Sequence, residues 1–168
     1  MYAIGSIPRR EENKFFNTGF VINPKGEIQE QYDKMHLFDI DIPGKITYKE
    51  SDAFTCGNKV CVFDTEFCKM GLGICYDLRF AELGMIMAQQ GARVLIYPGS
   101  FNQTTGPLNW ELLIRSRALD NQTFAVGVSV AQFKDDPTMY QAWAHSTLAD
   151  PFGRVLLGLD ENPAIAYC

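Results

Sequence analysis

Lys69-Met70-Gly71-Leu72-Gly73-Ile74-Cys75-Tyr76-Asp77 runs on through residues 80–90 and Gly91 to Arg93-Val94-Leu95-Ile96-Tyr97, and this run sets the fold class. Its two short apolar ends read as strands, and its middle reads as a helix closed by Gly91. Strand, helix and strand in that order make a β-α-β unit. The right-handed crossover of such a unit makes 69–74 and 93–97 parallel neighbours or near neighbours in one sheet. Upstream, residues 20–23 and 28–33 flank Pro24-Lys25-Gly26, where proline presets the turn and glycine accepts positive φ, so they read as a hairpin. Downstream, residues 110–120 read as a second helix with Trp110, Leu113, Ile114 and Arg117 on one face. A β-branched strand at 123–130 follows, and Pro151-Phe152-Gly153 turns a last hairpin between 147–150 and 154–157. The class is α/β with antiparallel hairpins attached.

The 168 residues fit one domain, 1–168, and 46% apolar residues with 12% aromatics suffice for a sizeable core. A net charge of −5 leaves no basic surface in bulk for phosphates, so no nucleic-acid partner is expected. Apolar runs such as 124–128 fall far short of the roughly 20 residues a membrane helix needs, and Arg9 and Arg10 follow rather than precede the first apolar stretch. The expectation is a soluble intracellular protein without a membrane partner, cytoplasmic or in a mitochondrial form. Five cysteines, at 56, 61, 68, 75 and 168, read as reduced thiols. Neither spacing among Cys56, Cys61 and Cys68 is CxxC and both histidines lie elsewhere, so no metal is expected.

Chemistry concentrates at Cys75. Two glycines carry the chain to a strand end, and Cys75-Tyr76-Asp77 then bends toward a helix. A side chain on such an elbow sits at the carboxyl edge of the sheet, where open α/β folds bind ligands, and beside a helix N-terminus. That place favours a thiolate with a lowered pKa, the best side-chain nucleophile near neutrality. A thiolate also needs a cation, and Tyr32-Asp33-Lys34-Met35-His36-Leu37 offers Lys34 or His36 at another strand end. In an extended strand Tyr32, Lys34 and His36 share one face, so spacing leaves both open.

At these residues the chain resembles a known family. Lys34-Met35-His36-Leu37-Phe38-Asp39-Ile40-Asp41-Ile42-Pro43-Gly44-Lys45-Ile46-Thr47 is similar to the lysine motif of the omega-amidase branch of the nitrilase superfamily. Gly73-Ile74-Cys75-Tyr76-Asp77-Leu78-Arg79-Phe80-Ala81-Glu82 is similar to its cysteine motif. Tyr97-Pro98-Gly99-Ser100-Phe101-Asn102, Trp110-Glu111 and Arg117-Ala118-Leu119-Asp120-Asn121 match in order, across essentially the whole chain. Several motifs in the right order carry weight that one short pattern does not.

The resemblance implies an αββα sandwich, incomplete here at both ends, with a glutamate, lysine and cysteine converging at one end of the sheets. It assigns Cys75 as nucleophile, Lys34 as cation and Glu50 as the supporting second glutamate. It implies no metal and no cofactor, a small-molecule amide substrate, and a homodimer or higher homo-oligomer. The expected chemistry is hydrolysis, through a cysteine thioester, of the terminal amide of small dicarboxylate monoamides such as 2-oxoglutaramate. Lys34 and the backbone N–H of Tyr76 would receive the oxyanion. Arg79 is a candidate for the free carboxylate, against a scaffold role paired with Asp77 or Glu82, and Phe101, Asn102 and Thr105 would line the pocket. The Leu-Pro-Glu motif that carries the family's general base does not occur in these 168 residues. The chain is therefore expected to be a fragment of an active amidase; the alternatives are a non-catalytic interaction subunit, or a relative acting on carbamoyl amides or nitriles.

Overall fold

The structure is a computed structural model that describes residues 1–44, 46–136 and 138–168. Lys45 of the lysine motif lies outside the described residues. Strands β1 (Ala3–Glu11), β2 (Lys14–Ile22) and β3 (Ile28–Asp33) form an antiparallel sheet in that order. β4 (Asp39–Ile42) and β5 (Ile46–Lys49) pair as a separate two-stranded ribbon. The remaining six strands are β6 (Cys61–Asp64), β7 (Lys69–Leu72), β8 (Val94–Gly99), β9 (Phe124–Ser129), β10 (Thr147–Ala149) and β11 (Val155–Gly158). They make one sheet in the order β11-β10-β9-β8-β7-β6.

The β-α-β reading holds: β7 and β8 are adjacent and parallel, with Met70 opposite Val94 and Leu72 opposite Ile96. Helix α1 (Ala81–Gln89) crosses between them, and α2 (Gly106–Asn121) crosses between β8 and the parallel β9. Helix α2 starts four residues earlier than the apolar period suggested. Gly106-Pro107 looks like a breaker, yet proline is at home in the first turn, where its missing N–H has no helical partner to lose.

Two cores explain the layering. Leu83 and Met87 of α1 and Trp110, Ile114 and Ala118 of α2 pack with Leu95, Ala125 and Ala149 on one face of the six-stranded sheet. Cys61, Phe63, Leu72 and Ile74 on its other face pack against Val21 and Tyr32 of the three-stranded sheet. Burying each of the leucine, isoleucine, valine, phenylalanine and methionine side chains among them contributes about 1.5–3 kcal/mol. The described elements thus supply a helix layer and two sheet layers of the expected sandwich. No described helix is long and apolar enough to cross a membrane.

Candidate active site

β7 ends at Leu72, Gly73 extends the pairing through its N–H to Ile96 O at 3.0 Å, and Ile74 remains extended. Cys75 then takes a left-handed backbone, φ +47°, and opens a 3₁₀ turn, Cys75–Arg79, before α1 begins. A non-glycine residue held there stores about 1–3 kcal/mol and persists only where its surroundings enforce it. Gly99 at the end of β8 admits this elbow, because a Cβ on Gly99 would stand 2.8 Å from the Cys75 Cα. The thiol lies at the carboxyl edge of β7, as read from the sequence, with Sγ 3.7 Å from its acceptor, the carbonyl oxygen of Ser100.

Lys34 follows β3 and donates its backbone N–H to Asn17 O at 2.8 Å. The β4–β5 ribbon then turns the chain back on itself, with Asp39 opposite Lys49, and returns Glu50 to Lys34. Lys34 Nζ and Glu50 Oε2 are 2.5 Å apart, and both side chains are buried. Glu50 also accepts from Phe38 N at 2.7 Å and Asn17 Nδ2 at 3.1 Å. The two candidate cations part company here. Lys34 lines a cavity with Cys75, whereas His36 turns away to Asp77 and stacks on Phe80 at 3.6 Å between ring centroids.

The cavity measures about 660 Å³ and takes in Lys34, Glu50 and Cys75 on its walls. Tyr76, Arg79, Phe101, Asn102 and Thr105 line it too, so of the residues singled out from the sequence these eight reach the same space and His36 does not. Their individual settings differ from expectation. Arg79 pairs with neither Asp77 nor Glu82. Its Nη2 donates to Asn109 Oδ1 at 3.0 Å, and its guanidinium lies over the rings of Phe101 and Tyr76. Asn102 is committed locally, its Oδ1 accepting from Thr104 N, Thr105 N and Thr105 Oγ1 at 2.8–3.0 Å, which shapes the entry to α2. Phe101 meets Trp110 edge to face at 5.0 Å, and Tyr76 meets Phe38 the same way at 5.1 Å.

One electrostatic expectation is overturned. Burial pushes the Cys75 thiol above its ordinary value, and the Lys34 charge and a backbone hydrogen bond with Ser100 lower it only in part. The cation is already matched by Glu50, and a short 3₁₀ turn rather than an α-helix follows the sulfur, so the helix-end charge is weak. Two contributors escaped the sequence reading. Asn17, on the inner side of β2 beside Gly19 and Val21, supports Glu50, and the alternation of β2 could have flagged it. Tyr140 lines the cavity and donates to Ser100 O at 2.9 Å, but it sits outside any periodic element.

A family model for carbon-nitrogen hydrolases matches residues 1–167. The chain belongs to the carbon-nitrogen hydrolase family. Within this family it is 52% identical to the omega-amidase NIT2 of Homo sapiens, over 99% of this chain and 60% of that protein. The hydrolase C26A3.11 of Schizosaccharomyces pombe is 50% identical, over 97% of this chain and 50% of that protein. Among solved structures, Nit3 of Saccharomyces cerevisiae, a member of branch 10 of the nitrilase superfamily, superposes with a TM-score of 0.85 at 38% identity. That match covers 95% of this chain and 55% of Nit3. The carbon-nitrogen hydrolase chain thus spans between half and three fifths of the length of these relatives.

Proposed function

We propose that the whole protein is an amidohydrolase that cleaves the terminal amide of small dicarboxylate monoamides, of which 2-oxoglutaramate is the type, through a thioester on Cys75. The observation that carries this reading is the guanidinium of Arg79. It forms no ion pair among the described residues and lines the same cavity as Cys75 and the Lys34–Glu50 pair. A guanidinium with unused donors suits a carboxylate, and a neutral nitrile would leave it unmatched. The omega-amidase relatives point the same way.

In this mechanism Cys75 Sγ bonds to the amide carbon as its proton leaves, and the carbonyl oxygen becomes an oxyanion facing the Lys34 ammonium and the Tyr76 N–H. One donor of this kind is worth about 10²-fold or more in rate. Glu50 holds Lys34 against the cavity wall, so the ammonium is pointed before charge develops. The carbon–nitrogen bond then breaks, the nitrogen takes up a proton and departs as ammonia, and water hydrolyses the thioester to the acid. The reading assigns proton transfer to a glutamate like that of the family's Leu-Pro-Glu motif, which residues 1–168 do not contain. Phe101 and Thr105 bound the space on the Arg79 side. We also assign the exposed face of α2, Leu108, Leu112 and Leu119, to a second copy of the chain, in a homodimer.

Ammonia release from 2-oxoglutaramate, measured with the wild type and Cys75→Ala, tests the reading. Release that vanishes in Cys75→Ala supports it. Release that is absent, or that survives the substitution, overturns it and favours a non-catalytic subunit. N-carbamoyl amines and simple nitriles in the same assay test the substrate class, and faster turnover of either overturns the carboxylate assignment.

A further inference from the structure

We propose that Asp77 is a positioning residue of this site, whose buried carboxylate sets the separation of Cys75 and Lys34 by clamping the segments that carry them. The inference rests on the roles given above to those two residues. Asp77 is fully buried and receives four hydrogen bonds from two distant stretches of chain. Oδ2 accepts from Ile74 N at 2.8 Å and from the Tyr32 hydroxyl at 2.7 Å. Oδ1 accepts from His36 N at 2.9 Å and lies 2.7 Å from His36 Nδ1, which donates in the matching tautomer. Ile74 immediately precedes the nucleophile. Tyr32 and His36 stand two residues before and two after the lysine, so the contacts bracket both reacting groups.

Geometry keeps the clamp rigid. Tyr32 is 1% exposed between the two sheets, and Met35 N approaches its hydroxyl at 3.3 Å, so the phenol is held from both sides. The His36 ring lies nearly parallel to Phe80, at 9°, and cannot swing without losing that stack. Burying a carboxylate costs several kcal/mol, and an apolar residue of similar volume would often serve stability as well or better. What a carboxylate supplies, and a methyl group cannot, is acceptance of four converging donors that join two chain segments 41 residues apart.

Asparagine exposes the requirement. Its side chain offers one oxygen and one NH₂ where two oxygens stood. The Tyr32 hydroxyl can rotate and His36 can change tautomer, but the backbone N–H groups of Ile74 and His36 cannot reverse. Whichever way the amide turns, one N–H meets another donor at 2.8–2.9 Å, and either the elbow or the lysine segment shifts. A displacement near 1 Å at a reacting centre costs about 10²-fold in rate.

The test compares Asp77→Asn and Tyr32→Phe with Thr18→Val. Thr18 is equally buried and hydrogen-bonded to Asp33, on the face of β2 away from the cavity. The readouts are kcat and KM for ammonia release, melting temperature, and iodoacetamide labelling of Cys75 against the buried Cys61 by mass spectrometry. We expect Asp77→Asn to lower kcat by about 10²-fold with KM within about 3-fold. Cys75 should label faster than in the wild type while Cys61 remains protected, and Tyr32→Phe should lower kcat by about 10-fold. Thr18→Val should lower the melting temperature and leave kcat unchanged. A kcat for Asp77→Asn that matches the wild type, or Cys61 labelling in step with Cys75, reduces Asp77 to a stability residue and overturns the proposal. If Asp77→Asn does not fold, Tyr32→Phe decides: a kcat equal to that of Thr18→Val overturns the clamp. If the wild type releases no ammonia, the amidase reading fails. The ratio of Cys75 to Cys61 labelling in Asp77→Asn then decides the clamp by itself.

Discussion

Replacing Glu50 with glutamine removes one charge and leaves the Lys34 ammonium buried without its counterion. Both side chains are almost wholly excluded from water, 3% and 7% exposed, so solvent screening does little to soften the loss. Breaking a buried pair from one side costs about 3–5 kcal/mol. Glutamine also places an NH₂ either at the Oε2 position, against Phe38 N and Lys34 Nζ, or at the Oε1 position, against Asn17 Nδ2, where only a turn of the Asn17 amide relieves the clash of donors. In a 168-residue chain this loss corresponds to a melting point lower by roughly 10 °C. The double variant Lys34→Met/Glu50→Gln contains no stranded charge and should regain about 2 kcal/mol over Glu50→Gln alone. Urea unfolding followed by the fluorescence of Trp110 and Trp143 reads both quantities as shifts in midpoint at constant slope. A loss under about 1 kcal/mol for Glu50→Gln, or a double variant less stable than the single, would refute the claim that this pair is a mutually dependent buried unit.

Three further outcomes follow from the same geometry. Burial holds the Cys75 thiol above its ordinary value of 9.0 and pushes Cys61 up to about 12, so the folded chain keeps protons that the unfolded chain releases first. Their stabilisation is therefore complete below pH 9.0 and is lost as pH rises toward 12, which urea midpoints across that range measure; a flat profile contradicts it. Arg79→Met should lower kcat/KM for a carboxylate-bearing amide by about 10–100-fold while sparing neutral amides, and equal losses on both contradict a carboxylate role. Gly99→Ala sets a methyl 2.8 Å from the Cys75 Cα, so ammonia release should fall sharply, and unchanged release would mean that the elbow is not held by that contact.

Much of this was legible in the sequence, for identifiable reasons. The β7-α1-β8 unit and both hairpins have strong local signals, period switching in one case and proline-to-glycine turns in the other; their placement holds to within two residues except for β2, which starts at Lys14, six residues before the expected start. The β4–β5 ribbon and β6 were not placed: strands of four residues show little alternation, and the similarly short β7, β10 and β11 were placed by the helix or turn beside them. Cys75 was readable as an elbow residue because glycines and a strand precede it. The distinction between Lys34 and His36 was not readable from spacing. β3 ends at Asp33, so strand alternation no longer governs the two side chains, and a contact 41 residues away turns His36 aside. The raised thiol follows first from the burial of Cys75, a tertiary fact that local sequence does not express, and two further tertiary facts leave it little offset. Glu50 occupies the cation, and the turn after Cys75 is 3₁₀ rather than α-helical.

The most direct measurement is the mass of the chain, within the whole protein, after rapid mixing with 2-oxoglutaramate and acid quench, followed by peptide mapping. The account predicts a transient acyl adduct on the peptide containing Cys75, released by hydroxylamine and missing in Cys75→Ala. Turnover without any adduct on that peptide, or an adduct on another residue, would contradict it.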